Sequence, residues 1–260
     1  MHPEGRAEAK PPLDVAWGHA LAACGRLTTM DLLLISATRL EAEPLHAAAA
    51  WQALDSPWGE LYRSQLYHQT VLLAHLGVGK VNTAAGLALL IDRYAPSRVI
   101  QFGIGGAYLG SGLSVAQAAI AAREIHLDSG VQEADGWHGM SELGFPLVDK
   151  GQPMYNLIPT DQRLSHALVD ATGLPLVTFG TSETVTGDFA LARALQERFD
   201  VAVESMEGAA AAQVCLALGA PFAELRGISN IVGERDKAAW DIPAACAAAC
   251  QSLMQYIRNT

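Results

Sequence analysis

From Met30 onward, short apolar runs of strand length alternate with helical patterns, beginning with Asp31-Leu32-Leu33-Leu34-Ile35-Ser36. This is the rhythm of an α/β domain with a largely parallel sheet: a strand buried on both faces reads as an unbroken apolar run, and each crossover needs a helix. The runs place strands at 31–36, 61–67, 70–76, 98–103, 117–126, 175–179, 200–204 and 221–229. Helices are expected at 40–53, 80–94, 160–171, 187–198, 206–218 and 242–257, with a loop-rich stretch at 128–159. Gly219 and Pro221 punctuate one helix-to-strand passage. Residues 1–29 mix Pro, Gly, Ala and charge without strand periodicity and read as an extension, disordered or upstream of the true start, though an Ala-rich helix around 15–24 also fits. Residues 30–260 read as one domain.

At 260 residues, half of them apolar, the chain can bury a large core. Its net charge of -10, with only 17 Lys and Arg, argues against a nucleic-acid partner, since phosphate backbones are gripped mainly by those residues. A small-molecule ligand fits better. The four cysteines form no CxxC pair, and Cys246 and Cys250 sit one helical turn apart on an apolar stretch, so reduced, buried thiols are expected. No apolar run reaches the roughly 18 to 20 residues that span a bilayer. The expectation is a cytoplasmic protein without a membrane partner.

In open α/β sheets, ligands bind beyond the carboxyl ends of the strands. Two polar blocks are predicted to end there, Glu204-Ser205-Met206-Glu207-Gly208 and, one helix later, Arg226-Gly227-Ile228-Ser229-Asn230. Arg226, Ile228 and Asn230 alternate and are expected to share a strand face. Glu41 follows the first strand at the opening turn of a helix, where a carboxylate also complements the helix dipole, and Glu207 has the same plain reading with Ser205 as N-cap. Gln101-Phe102-Gly103-Ile104-Gly105-Gly106-Ala107 permits close backbone approach to a ligand or a tight turn. It is not a GxGxxG fingerprint, and no Walker lysine follows. Gly77-Val78-Gly79-Lys80, before a helix, offers free N–H groups to an anion or a sugar oxygen. The histidines, His126 and His138 among them, lack HExxH or comparable spacing, so no metal is expected. A Gly-x-Ser-x-Gly elbow is also missing, which disfavours a serine hydrolase.

Taken in order, Ala37-Thr38-Arg39-Leu40-Glu41, Gly77-Val78-Gly79-Lys80-Val81-Asn82, Gly103-Ile104-Gly105-Gly106, Glu204-Ser205-Met206-Glu207-Gly208-Ala209 and Gly227-Ile228-Ser229-Asn230 resemble the superfamily of nucleoside phosphorylases and methylthioadenosine/S-adenosylhomocysteine nucleosidases. The resemblance covers residues 30–257 and implies a three-layer α/β/α fold on a central twisted mixed sheet. It further implies no cofactor, a small-molecule nucleoside substrate, and a homodimer or higher homo-oligomer. Within the superfamily the chain looks most like the branch that hydrolyses futalosine, a hypoxanthine riboside of menaquinone biosynthesis, to hypoxanthine and dehypoxanthine futalosine. The resemblance places the water-activating glutamate on Glu41 and the ribose-binding pair on Met206 and Glu207. It puts purine-edge positions at Thr184 and Val185, an aromatic cover at Trp240, and the glycine loop of the site at Gly103 and Ile104.

Adenine-cleaving relatives resemble one another in having Asp where this chain has Asn230. A carboxamide can donate to O6 and accept from a protonated N7, which suits hypoxanthine. Ile104 stands where phosphorylases and some nucleosidases of the superfamily carry a hydroxyl residue; its loss alongside Glu41 favours water over phosphate. Val115-Ala116-Gln117 replaces a usual Gly-Asp. The benzoate carboxylate of futalosine has four candidate partners, Arg39, His138, Arg235 and Lys237. The alternatives are an adenine-type nucleosidase, a purine nucleoside phosphorylase and a non-catalytic nucleoside-binding protein.

Overall fold

In the first strand, β1 (Leu32–Ser36), Leu32 and Leu34 enter one buried cluster while Leu33 and Ile35 enter another. Alternate side chains of a strand point to opposite faces, so β1 divides the core in two. The computed structural model describes residues 30–260; the expected extension over 1–29, with its helix, lies outside the described residues.

The remaining strands are β2 (Gln52–Leu54), β3 (Glu60–Leu66), β4 (Gln69–His75), β5 (Val99–Ala107), β6 (Ala118–His126), β7 (Gly130–Gln132), β8 (Trp137–Gly139), β9 (Val148–Asp149), β10 (Pro153–Met154), β11 (Leu157–Pro159), β12 (Leu176–Thr181), β13 (Val203–Ser205) and β14 (Phe222–Ile231). The helices are α1 (Glu43–Ala48), α2 (Lys80–Tyr94), α3 (Met140–Leu143), α4 (Gln162–Thr172), α5 (Phe189–Phe199), α6 (Gly208–Leu218) and α7 (Ile242–Asn259). On one face of β1 pack Leu45 of α1, Leu164 and Leu168 of α4, and Leu253 and Ile257 of α7. On the other pack Leu87 and Leu90 of α2 and Ala211, Ala212 and Cys215 of α6. The result is the expected three-layer α/β/α arrangement on a mixed sheet.

That sheet has ten strands, and its inner half is closed. β14 runs parallel to β5 and antiparallel to β6, and the same two strands are also joined through β12 and β13. Ala107, Ala119, Ala121, Phe179, Val203 and Ile228 fill the ring as one small cluster. Short side chains suit so tight a closure.

Most predicted elements appear within a few residues of their expected bounds. Asp161, Asp188 and Asp241 cap α4, α5 and α7 by accepting from Leu164, Leu191 and Ala244 N–H, which delays each start relative to the apolar pattern or pins it. The helix expected at 40–53 is instead a 3₁₀ turn, Leu40–Ala42, then α1, which stops at Ala48 because Ala49 is extended and the chain turns into the edge strand β2. The glycine run of 103–106 is not a turn but the second half of β5. The loop-rich 128–159 contains the hairpins β7–β8 and β9–β10, short α3, and β11 on the sheet edge.

Candidate active site

The carboxyl ends of β1, β5, β13 and β14 open onto a cavity of about 290 Å³. Glu41, Ile104, Val185, Met206, Glu207, Asn230 and Trp240 line it. Thr184 is exposed and outside the lining, whereas Thr186 is inside it. Gly103 lies behind the wall, and a Cβ there would collide with Glu41 Oε1 and Arg226 Nη1. This close approach, rather than a turn, is what the glycine supplies.

Glu41 is locked by its own local sequence. Thr38 N donates to its Oε2 at 2.9 Å, and Glu41 N donates back to Thr38 Oγ1 at 3.4 Å, the reciprocal pattern of a Thr-x-x-Glu box. Its other oxygen, Oε1, accepts from Ile104 N at 3.0 Å and stands 3.5 Å from Arg226 Nη1. Burial raises the Glu41 carboxyl above its ordinary value; Arg226 partly offsets this, and the nearby Glu207 adds to it. Behind the Thr38 loop, Ser36 Oγ donates to Thr38 O at 2.9 Å and lies 2.8 Å from His75 Nδ1. With its proton on Thr38 O, the hydroxyl accepts from His75 Nδ1–H, so His75 Nε2 accepts from His46 Nε2, 2.9 Å away. Burial first, then His46, pulls His75 down to about 4, which keeps this chain neutral.

Glu207 caps α6 in position only. Its backbone is non-helical and its side chain leaves its own helix. Oε1 accepts from Gly79 N at 3.0 Å, and Oε2 from Arg226 Nη2 at 2.9 Å. Gly77 and Gly79 adopt φ of 101° and 93°, conformations that favour glycine, so the Gly77–Lys80 turn can aim its N–H groups inward. Of the N–H groups expected to face an anion or a sugar oxygen, two have partners within the protein: Glu207 takes Gly79 N, and Glu183 takes Lys80 N at 2.6 Å. Two N–H groups at this helix start are thus taken by the protein's own carboxylates.

Arg226 joins the parts, 1% exposed and within the central strand β14. Besides Glu41 and Glu207 it donates Nε to Glu224 at 2.5 Å and Nη1 to Ile104 O at 3.1 Å. Burial alone would lower its pKa, but the charges of Glu224, Glu207 and Glu41 prevail and hold it well above the ordinary guanidinium value. Glu204, by contrast, is closed off: it accepts from Tyr108 OH at 2.8 Å, Thr186 Oγ1 at 2.6 Å and Thr186 N at 2.9 Å.

The strict alternation expected from Arg226 to Asn230 is broken. A register shift after Ile228 sets Ile228 opposite Gly105 and Asn230 opposite Gly106, so Ser229 is an extra residue. Ile228 enters the apolar ring cluster while Arg226, Ser229 and Asn230 line the cavity. Asn230 Nδ2 donates to Ile231 O at 2.9 Å, and its Oδ1 is 2.8 Å from Ser229 Oγ. One amide hydrogen and one oxygen lone pair are left for the cavity.

Of the four cationic candidates, Arg235 alone lines the cavity, its guanidinium 5.1 Å from the centre of the Trp240 ring. Arg39 is turned to Tyr62 and Glu60, and His138 lies between Asp135 and Glu142 on the β7–β8 hairpin and α3. Among the described residues, the one group of three with metal-ligand potential is Glu133, Asp135 and His138, on that same hairpin and away from the cavity. Arg226 and Glu224, which carried no assignment from the sequence, form the ion pairs at the centre of this site. Their signal was two opposite charges two residues apart inside an apolar strand.

A model described as the phosphorylase superfamily matches residues 31–259. The chain belongs to the phosphorylase superfamily. Two superfamily relatives named futalosine hydrolase are each 36% identical to it. The Thermus thermophilus protein aligns over 231 residues, 86% of this chain and 94% of its own, and the Streptomyces coelicolor protein over 235 residues, 84% and 92%. The native structure of Helicobacter pylori futalosine hydrolase has a TM-score of 0.77 at 17% identity, covering 89% of this chain and 99% of that one, a likeness of fold. This phosphorylase-superfamily chain has no helix among its described residues long and apolar enough to cross a membrane.

Proposed function

We propose that this chain is an N-glycosyl hydrolase that cleaves futalosine, releasing hypoxanthine and leaving dehypoxanthine futalosine for menaquinone biosynthesis. The observation that carries the reading is the match to two futalosine hydrolases over 86% and 84% of this chain; relatives named methylthioadenosine/S-adenosylhomocysteine nucleosidase align over a smaller share. Asn230 in the cavity wall supports the choice of base, since a carboxamide pairs with a 6-oxopurine.

In this reading Glu41 takes a proton from the water that attacks the anomeric carbon, and the N-glycosidic bond breaks with its electron pair passing to the base. Its raised pKa brings the carboxylate nearer to the strength a base needs near neutral pH. Glu207, fixed by Gly79 N and Arg226, accepts from the ribose hydroxyls, and Met206 supplies an apolar surface under the sugar. Asn230 stabilises the departing purine at N7 and O6, Val185 and Trp240 border it, and Ile104 contributes the main chain that holds Glu41. Arg235, at the cavity wall against Trp240, meets the carboxylate on the 5′ side of the substrate. We place the enzyme in the cytoplasm as a homodimer or higher homo-oligomer acting without a cofactor.

The test is to incubate the protein with futalosine, inosine and methylthioadenosine, with and without phosphate, and to identify base and sugar product. Hypoxanthine from futalosine without phosphate is the expected result. Phosphate-dependent release would make it a phosphorylase, preferred adenine release a nucleosidase, and no release a binding protein.

A further inference from the structure

Behind the cavity wall, two more carboxyl groups stand where no water reaches. Glu224 and Glu124 are both 0% exposed, on β14 and β6. They converge on the first residue of α6, where a Cβ on Gly208 would collide with oxygens of both. Glu224 Oε1 receives Arg226 Nε, and Glu124 Oε2 receives Thr181 Oγ1 at 3.1 Å. The remaining oxygens, Glu124 Oε1 and Glu224 Oε2, have no other donor among the described residues. Three carboxyl groups, those of Glu41, Glu207 and Glu224, thus meet one guanidinium in a desolvated region, with Glu124 as a fourth beside Glu224. Ionising all four would leave three uncompensated charges, a burden a protein interior relieves by protonation. A proton between the two rear carboxyls also supplies the missing donor.

We propose that Glu224 and Glu124 form a positioning pair that shares one proton, tethering Arg226 by its Nε so that the two Nη groups serve Glu41 and Glu207 together. Direction agrees with geometry: burial first, then the charge of Glu224 and a hydrogen bond to it, raises Glu124 well above the ordinary carboxyl value, so the proton resides there. The charged groups facing the pair are Arg226 on β14 and, through it, Glu41 and Glu207. From β12 the pair meets the Thr181 hydroxyl, from β11 the apolar Ile158 opposite Glu124, and from α6 the backbone of Gly208. On the far side of Glu41, α7 presents Cys246 and Cys250, whose thiols are pushed up by burial to about 11 and about 12 and stay neutral. With one proton on it the pair leaves Arg226 free to favour ionised Glu41; with none, the extra negative charge would work against that ionisation.

This inference rests on Glu41 as the base, and the experiment separates the two. The pH dependence of kcat/KM is measured for wild type, Glu41→Gln, Glu224→Gln, Glu224→Ala and Glu124→Gln. Glu224→Gln keeps an acceptor for Arg226 Nε but removes a negative charge, so the acid limb should move down by about half to one pH unit. Glu224→Ala releases the tether and should lower kcat about 10²-fold. Glu124→Gln supplies an amide N–H in place of the shared proton and should move the acid limb far less than Glu224→Gln. Infrared difference spectra of the wild type at neutral pH should contain a protonated-carboxyl C=O band that Glu124→Gln lacks. An acid limb unmoved in Glu224→Gln, or the band unchanged in Glu124→Gln, overturns the pair. Near-normal turnover in Glu41→Gln instead overturns the base assignment.

Discussion

Glu204 and Glu207 lie three residues apart, line the same cavity and are equally hidden, at 6% and 3% exposure, yet their surroundings differ in kind. Around Glu204, a tyrosine, a threonine hydroxyl and a backbone N–H supply both oxygens with neutral donors from within the fold. Glu207 has one backbone N–H and one guanidinium, the latter divided among Glu207, Glu41 and Glu224. A carboxylate has about four lone-pair sites, so Glu207 retains acceptor capacity where it faces the cavity. The difference lies in the kind of donor: neutral groups hold Glu204, whereas one shared guanidinium stands against both Glu207 and Glu41 at the cavity wall.

The sharpest way to break this contrast is to neutralise the acids in turn. Glu41→Gln should fold normally and lose about 10²–10⁴ in turnover; urea midpoints together with single-turnover rates would expose the opposite result. On the Glu204 side, Thr186→Val removes a hydroxyl donor and should cost about 1–3 kcal/mol of stability, read as a lower denaturation midpoint. Unchanged stability would mean that Glu204 is not the structural partner of the pair. Asn230→Asp replaces an amide that donates to Ile231 O, so the new side chain keeps that contact only when protonated. Its preference ratio should move towards adenine nucleosides by about 1–3 kcal/mol, and a fixed ratio would remove Asn230 as the base reader.

Two smaller effects sharpen the rim and the frame. Arg235→Gln should lower kcat/KM for futalosine about fivefold and leave inosine unchanged, since an exposed ion pair contributes at most about 1 kcal/mol. Equal losses on both substrates would assign Arg235 to the cavity wall rather than to a carboxylate. Ala116 has φ of 69°, a conformation strained for any residue with a Cβ. Ala116→Gly should therefore raise stability by about 1 kcal/mol with activity unaltered, as thermal denaturation would record.

The pH dependence follows with a definite sign. Burial raises Glu41, so the acid limb of kcat/KM should lie above the range of an ordinary carboxylate, with activity falling as pH drops through it. In stability the same raised value acts the other way. The protonated form is the one burial tolerates, so this contribution is fully present below the unfolded pKa and is lost as pH rises through the folded one.

Much of the frame was legible in the chain. The Leu32–Ile35 run, the α2 pattern and the Gly219-Pro221 punctuation mark elements by local physics, because strand and helix periodicities differ and glycine and proline interrupt both. The ring closure was not, since which strands β14 joins depends on pairings over a hundred residues apart. The bulge at Ser229 escaped for the same reason: a register shift is a property of two strands, and one strand's sequence still alternates across it.

What the sequence by itself determined is the inventory: apolar runs sufficient for a three-layer α/β/α core, the Thr38–Glu41 box, and acids and an amide at strand ends. Tertiary structure alone decided how those groups are shared. It placed Arg226 among three carboxylates, held Glu204 with Tyr108 and Thr186, and turned the N–H groups of Gly79 and Lys80 to Glu207 and Glu183. The reason is physical. Periodicity is local and survives in one dimension, whereas desolvation and hydrogen-bond valence depend on every neighbour that folding brings within about 3 Å.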